Sequence, residues 1–245
     1  MKNSLVIIPT FNEKENISRM AEEIFSLSNE VHLLVVDDGS PDGTATVVKE
    51  IQSRFPNRLF LHERFGKQGL GTAYIHGFSY AIEKGYEYIF EMDADFSHPP
   101  KDLIRLYAEA EKGNDVVIGS RYCRGGHVKN WPLGRILMSY FASVYVRMIT
   151  WMPVKDTTAG FVCYRRKFLQ ELDFKKIQFV GYAFQIEMKF AAYRLGFKIK
   201  EVPITFIDRV AGASKMTKGI FKEAIIGVLK MRRASLTNRE YYRKK

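Results

Sequence analysis

Asp93 and Asp95 stand one residue apart in "IFEMDADFSHPP", at the point where an apolar run stops. Asp is a poor strand residue and a good turn residue, so a single carboxylate would account for the end of a strand. A pair is more than a turn requires. Two carboxylates at i and i+2, on a bend that points them the same way, make a site for a hard divalent cation, and such a cation commonly carries phosphates. Other charged residues follow apolar runs in the same manner: Glu13 in "PTFNE", Asp37 and Asp38 in "DDGSPDG", and Arg121 in "GSRY".

Several other chemistries find no support. "GLGTAY" contains Gly69 and Gly71 but lacks the third glycine of a dinucleotide fingerprint, and no Gly-rich loop ends in Gly-Lys-Ser/Thr. Histidines 32, 62, 76, 98 and 127 form no i,i+4 pair, which disfavours zinc hydrolase chemistry, and there is no Gly-x-Ser-x-Gly elbow. Lone Ser and His residues therefore read as structural. The net charge of +11, from 38 Lys+Arg against 27 Asp+Glu, favours anionic partners: nucleic acid, acidic lipid headgroups or phosphorylated small molecules. The positive charge is concentrated after residue 120 and mixed with apolar stretches rather than stacking platforms, which argues for no nucleic acid partner.

The elements that must position these residues alternate along the first half. Strands read at "SLVIIP", "VHLLVVD", "NRLFLHE", "YEYIFE" and "DVVIGS". Helices read from Asn12-Glu13 toward Leu27, over Thr44 to Arg54, up to Gly85, and over "PKDLIRLYAEAEKG". This rhythm predicts an α/β fold with a mostly parallel central sheet and helices on both faces. Ligands of such sheets bind beyond the carboxyl ends of the strands, so Glu13, Asp37, Asp38, Asp93, Asp95 and Arg121 are expected on one rim. After Tyr122 the rhythm breaks. A Gly-rich basic loop, a long apolar-aromatic helix to about Met152, a helix through "YAFQIEMKFAAYRLG", one late strand "FKIKEVPITFIDRV", a loop "AGASKMTKG" and a closing helix follow, while "KDTTAGFVCYRR" carries no assigned element.

With 245 residues, 46% hydrophobic, the chain is expected to form one large domain with appendages. Cys123 and Cys163 lie far apart without metal-ligand spacing, which suits a reducing compartment. The apolar run Leu5 to Ile8 is far too short for a signal segment, so a cytoplasmic location is expected. No run reaches the about 18 apolar residues of a membrane span; the nearest, Ile136 to Val146, is closed by Arg135 and Arg147.

In order and spacing, "VIIPTFNEKENI", "VVDDGSPDGT", "GLGTAYIHGF", "MDADFSHPP", "VIGSRY", "DTTAGFVCYRR" and "DRVAGASKM" resemble the family 2 glycosyltransferases with a GT-A, Rossmann-like nucleotide-diphospho-sugar transferase fold. More narrowly, they resemble the dolichol- or polyprenol-phosphate mannosyltransferases, from about Leu5 to Met216. The resemblance implies a GDP-mannose donor, a dolichyl or polyprenyl phosphate acceptor, inversion at the anomeric carbon, and Mg²⁺ or Mn²⁺. The alternative within the fold is a UDP-sugar donor, glucose or similar, with a polyprenyl phosphate or glycan acceptor.

Residue by residue, the resemblance places Pro9, Phe11 and Glu13 on the nucleotide and Asp38, with Asp37 beside it, toward the base or ribose. Asp93 and Asp95 would hold the metal on the diphosphate, with Ala94 supplying backbone. Ser97 stands where some relatives have Gln. Arg121, Arg135 and Arg209 match cations near the diphosphate and the acceptor phosphate, making Asp95 and these three arginines the expected catalytic set, and Lys215 lies in a loop expected to close over the donor. Asp156 is expected either to order the acceptor loop or to cap a turn. Glu187, a base candidate in relatives that glycosylate hydroxyls, is expected to pair with a neighbouring cation.

A lipid acceptor requires contact with a membrane surface. "LGRILMSYFASVYVRMITWM" reads equally as an interfacial helix or a buried core helix. In "GIFKEAIIGVLKMRR", Ile220, Ala224 and Val228 stack with Phe221, Ile225 and Leu229 on one face, opposite Lys222, Glu223 and Lys230, and a basic end follows. The division expected is a catalytic domain over residues 1–218 and a membrane-associated amphipathic helix and tail over 219–245, peripheral on the cytoplasmic face. Relatives without transmembrane helices include some that need a membrane-anchored partner subunit.

Overall fold

The computed structural model describes residues 1–181, 183–208 and 218–244, without the side chains of 218–225 and 237. Strands β1 (Ser4–Thr10), β2 (Val31–Asp37), β3 (Leu59–Glu63), β4 (Tyr88–Glu91) and β5 (Val116–Ser120) alternate with helices α1 (Lys14–Leu27), α2 (Thr44–Gln52), α3 (Leu70–Glu83) and α4 (Asp102–Glu111). Each strand lies where an apolar run of the sequence places it. Alternate residues of β1 and β2 bury on opposite faces: Leu5, Ile7, Leu34 and Val36 in one core, Val6, Ile8, Leu33 and Val35 in the other. Helices therefore cover both faces. The glycines of "GLGTAYIHGF" permit close approach: a Cβ on Gly77 would meet Ile7 at 2.7 Å, and one on Gly71 would meet the Phe184 ring at 2.7 Å.

The second half adds β6 (His127–Lys129), α5 (Leu133–Thr150), β7 (Val162–Arg165), α6 (Arg166–Glu171), α7 (Ala183–Arg194), β8 (Ile199–Pro203), β9 (Thr205–Ile207) and α8 (Lys218–Thr237). The main sheet runs β3-β2-β1-β4-β7-β5-β8, and β7 is antiparallel to both β4 and β5. Periodicity assigns no element here because "FVCY" is a short unbroken apolar run, which fits a strand or a helix equally. Its burial explains it: Phe161 and Cys163 enter one core, Val162 and Tyr164 the other. The single late strand of the sequence reading is two. Ile204 donates its N–H to Ser120 O at 3.0 Å, after which β9 leaves the sheet and pairs with β6.

The reversal of β7 matters for the rim. β1, β2, β4 and β5 all end on one edge of the sheet, and because β7 runs the other way, the residues that precede it, Asp156 to Gly160, enter from that same edge.

Helix α5 is not a core helix. Only Ser143, Val146 and Thr150 are buried, whereas Phe141 is 60%, Met148 70% and the adjoining Trp151 71% exposed. Helix α8 packs on α5 and α7, burying Val228 and Met231 while Ile226, Leu229 and Leu236 remain exposed. Val228 and Leu229 thus do not share an environment, contrary to the stacking read from the sequence; the remaining positions of that expected face lie outside the described side chains. Arg232 covers the Trp151 ring at 4.5 Å, joining the two exposed faces.

The C-terminal segment is bonded to the body. Tyr242, buried, donates its hydroxyl to Glu187 Oε1 at 3.2 Å, Arg194 Nη2 donates to Ser235 O at 2.6 Å, and Arg243 pairs with Glu171. Among the described residues Glu187 has no cation partner of the kind expected. Its other oxygen accepts the backbone N–H groups of Gln178 (2.8 Å) and Phe179 (3.0 Å). Burial pushes its carboxyl up to about 7, against the pull of those donors. A carboxyl raised in the fold contributes stability that is complete below its unfolded value and is lost as pH rises through the folded one. Stability should therefore fall between about pH 4.5 and 7 by an amount on the order of a few kcal/mol from this group. Urea unfolding across pH 4.5 to 8 should show a shallower decline for Glu187→Gln than for the wild type; parallel profiles would show that Glu187 does not titrate in this way.

Candidate active site

The loops after β1 and β2 form one hydrogen-bonded unit. Asp37 is buried and accepts from Thr10 Oγ1 (2.7 Å), Ser40 Oγ (2.6 Å) and Ser40 N–H (2.9 Å). It braces the rim from within. The N–H of Asn12 donates to Ser40 Oγ and that of Glu13 to Thr44 Oγ1, both at 3.0 Å. Asp38 faces the end of β3, where Arg64 holds it through Nε (2.7 Å) and Nη2 (2.6 Å), and the N–H of Gln68 reaches its other oxygen at 3.3 Å. Phe11 lies half-buried with the Lys67 ammonium 5.0 Å from its ring centre. Pro9, the one residue of β1 that is not fully buried, lies beside Val36.

The acidic turn follows β4. Ala94 is buried between its two neighbours, and the Asp93 side chain is 41% exposed. Phe96 adopts φ 60°, a conformation that a bulky residue rarely takes, and this sharp bend lets the N–H of Ser97 donate to Asp95 Oδ1 at 3.1 Å. Arg19 covers the Phe96 ring at 4.8 Å.

Behind the turn, Ser97 Oγ and His98 Nδ1 are buried polar atoms without a hydrogen-bond partner among the described residues, and His98 Nδ1 lies 3.9 Å from Asp93 Oδ2. Burial lowers the imidazole to about 4, against the attraction of Asp95, so the ring is neutral; it stacks on Phe161 and meets Phe206 edge-on. Two carboxylates with orphaned polar atoms beside them suit a divalent cation. Among the described residues no cluster of three His, Cys, Asp or Glu side chains exists, so phosphate oxygens and water would complete the shell, as is usual for Mg²⁺.

Arg121 closes the far side. Its Nε and backbone N–H donate to Asp156 Oδ2 (2.7 and 2.8 Å), and its Nη2 donates to Asp156 Oδ1 (2.6 Å) and Thr158 Oγ1 (2.8 Å). Arg121 and Asp156 are both buried. Burial raises the Asp156 carboxyl, but the charge and hydrogen bonds of Arg121 more than reverse this, so the pair is ionic. Asp156 thus clamps Arg121, and its Oδ1 also accepts from Thr158 Oγ1 at 3.5 Å within its own loop. Tyr122, Trp131 and Phe206 surround the guanidinium at 5.2, 5.7 and 5.5 Å. Arg135 stacks on the same Trp131 at 4.0 Å and donates to Asp208 at 3.1 Å. Arg121 and Arg135 are therefore brought together around one indole. Arg209 and Lys215 lie outside the described residues.

Sequence reasoning missed Arg64, although it follows β3 as Arg121 follows β5 and the same strand-end rule would have found it. It also set His98 aside as one of several lone histidines. Glu91 and Lys189, buried under the rim, gave no signal. Burial pushes the Glu91 carboxyl up to about 8, and Lys189 Nζ donates to Ala159 O (2.6 Å) and Gln185 O (3.0 Å).

Solved structures share this architecture. Glucosyl-3-phosphoglycerate synthase from Mycobacterium tuberculosis, in complex with Mn²⁺, uridine diphosphate and phosphoglyceric acid, aligns with TM-score 0.68 at 18% identity, over 94% of this chain and 78% of that one. A mannosyltransferase from Pyrobaculum calidifontis, in complex with GDP-Man and Mn²⁺, aligns with TM-score 0.56 at 16% identity, over 97% and 75%. Sequence relatives are nearer. A polyprenol monophosphomannose synthase of Mycolicibacterium smegmatis is 43% identical over 227 residues, 93% of this chain and 86% of its own. An undecaprenyl-phosphate mannosyltransferase of Micrococcus luteus is 44% identical over 224 residues, 91% of each. Residues 5–173 match the pattern of glycosyl transferase family 2, and with the acidic turn and the mostly parallel sheet in place, the chain belongs to that family.

Proposed function

We propose that this protein is a polyprenyl-phosphate mannosyltransferase that moves mannose from GDP-mannose to a dolichyl or polyprenyl phosphate with inversion. The observation that carries sugar and lipid together is the pair of relatives named for that chemistry, each matching more than nine tenths of the chain. The site fits. An acceptor phosphate oxygen attacks the anomeric carbon, the bond from that carbon to the diphosphate breaks, and the electron pair leaves with GDP. A phosphate monoester is already anionic at neutral pH, so the nucleophile needs little or no general base. Glu187, the earlier base candidate, is occupied by Gln178, Phe179 and Tyr242.

Asp93 and Asp95 would hold Mg²⁺ or Mn²⁺, which when bound supplies charge neutralisation on the leaving diphosphate. Ala94 offers backbone to the donor, and Pro9, Phe11, Glu13, Asp37 and Asp38 shape the nucleotide side. Asp37 acts from beneath the surface and Asp38 through Arg64. Arg121, held rigid by Asp156, presents fixed positive charge, and Arg135 stands beside it over Trp131 for the acceptor phosphate. Arg209 and Lys215 complete this set on the family resemblance.

Among the described residues no helix is long and apolar enough to cross a membrane. The exposed apolar faces of α5 and α8, edged by Lys230, Arg232 and Arg233, suit peripheral attachment to the cytoplasmic face of a membrane, where each basic residue contributes about 1 kcal/mol with anionic lipid. The same faces would receive a membrane-anchored partner subunit. In this reading residues 1–218 catalyse and 219–245 attach.

Purified protein incubated with polyprenyl phosphate, Mg²⁺ and labelled GDP-mannose should yield lipid-linked label. Label from UDP-glucose alone would replace the mannose assignment, and none from any donor would remove the enzyme assignment. Asp95→Asn should lower turnover at least 100-fold, the scale of lost electrostatic stabilisation, with an unchanged melting temperature. Full activity with unchanged metal dependence would dissociate the acidic turn from the chemistry. Met148→Asp combined with Leu229→Asp should reduce co-sedimentation with anionic vesicles several-fold, since both side chains are exposed; wild-type sedimentation would place the membrane contact elsewhere.

A further inference from the structure

Phe65 is 98% exposed, the most exposed of the protein's large hydrophobic residues among those described. It sits on the loop after β3, at the rim where the nucleotide side of the site lies. Everything around its ring is fastened. Arg64 before it holds Asp38 through two nitrogens, donates Nη1 to Thr72 Oγ1 at 3.0 Å and its backbone N–H to Asp37 O at 2.8 Å. Gln68 after it donates its backbone N–H to Asp38 and its side-chain amide to Phe65 O at 3.2 Å. Gly66, at φ 68°, lies so close to the loop after β2 that a Cβ on Gly39 would meet its nitrogen at 3.1 Å. A tethered backbone presents the ring in a fixed place, so little conformational entropy is left to lose when something flat settles on it. Lys67, next but one along, turns its ammonium over the Phe11 ring, on the same rim.

We infer that the Arg64–Gly69 loop is a nucleobase clamp, in which the Phe65 ring stacks on the purine of a guanosine diphosphate and Lys67 donates to its acceptor edge. The inference rests on the nucleotide-sugar reading above and adds to it the residues that hold the base. A purine offers Phe65 more stacking area than a pyrimidine, and guanine carries a carbonyl oxygen and a ring nitrogen as acceptors for an ammonium. Asp38 then acts as the anchor of the clamp. Its carboxylate fixes Arg64 and Gln68 on either side of the stacking ring.

Isothermal titration of the full chain with GDP and Mg²⁺, without lipid or sugar, tests this directly. Phe65→Ala should raise the Kd for GDP about tenfold, the effect of one lost aromatic stack, while Phe65→Trp restores it. Inorganic pyrophosphate, which has the diphosphate but no base, should bind wild type and Phe65→Ala alike. Equal GDP affinity in wild type and Phe65→Ala overturns the clamp but leaves the nucleotide-sugar reading standing, whereas absence of GDP binding by the wild type overturns both. Reduced vesicle binding by Phe65→Ala with unchanged GDP affinity also overturns the clamp and gives the ring to the membrane. Because the side chain is exposed, the variant is expected to fold, and an unchanged melting temperature checks that.

Discussion

A buried ion pair, Arg121 with Asp156, holds the two halves of the protein in one register. Placing both charges out of water costs several kcal/mol each, and the cost is offset only where geometry is good and the remaining donors are satisfied. Here Asp156 receives two side-chain nitrogens and a backbone N–H from one residue, and Thr158 takes a further bond. Such a pair is a poor source of net stability and a good source of position. It fixes the end of β5 to the segment entering β7, and the aromatic residues Tyr122, Trp131 and Phe206 pack around the guanidinium that results. Arg135 is placed by that packing, since it lies on Trp131. The cationic side of the cleft thus follows from one contact.

The acidic side is built differently. Asp37 and Asp95 each accept a backbone N–H from two or three residues further along their own loops, while Asp38 is held from the loop after β3, so two of these three acids have a bond that is local in the sequence. The difference explains what was legible in the sequence. Acids at the ends of apolar runs announce themselves, because strand pattern and turn chemistry are local. The α/β rhythm through β5 was legible for the same reason. The partner of Arg121 was not, because Asp156 lies 35 residues away and depends on a strand that reverses the parallel rule. Nor was the pairing of β9 with β6, two three-residue strands with no periodicity to read. Glu187 was misjudged on the general tendency of helix carboxylates to find a lysine or arginine, when two loop amides and a tyrosine had reached it first.

Helix α5 shows the limit of pattern from the other direction. Its sequence suits a core helix as well as an interfacial one, and only packing decides. Ser143, Val146 and Thr150, small residues, face the body, while its larger rings and methionines face outward. Arg232 over Trp151 extends that face onto α8, and Tyr242 with Arg243 bonds the end of the chain back onto α6 and α7. The exposed apolar surface is consequently joined to the body by a continuous chain of contacts: α8 is bonded to α7 through Ser235 and Arg194, and Lys189 of α7 reaches Ala159 beside the Asp156 segment.

The antiparallel position of β7 also orders the assembly of the protein in time. Strands β1 to β4 are neighbours by themselves, and their pairing needs no residue beyond 91. β5 pairs only with β7 and β8 among the described strands, and β7 alone joins it to β4. Until residues 162–165 insert between them, β5 has no sheet to join, and the chain must close a loop of some seventy residues across the gap, from β4 to β7. The rim formed by the loops after β1, β2 and β4 thus depends on pairings among strands close in sequence. The Arg121 side depends on the single insertion of β7, which joins β5 to the sheet and so brings Arg121 to the rim that carries the acidic turn.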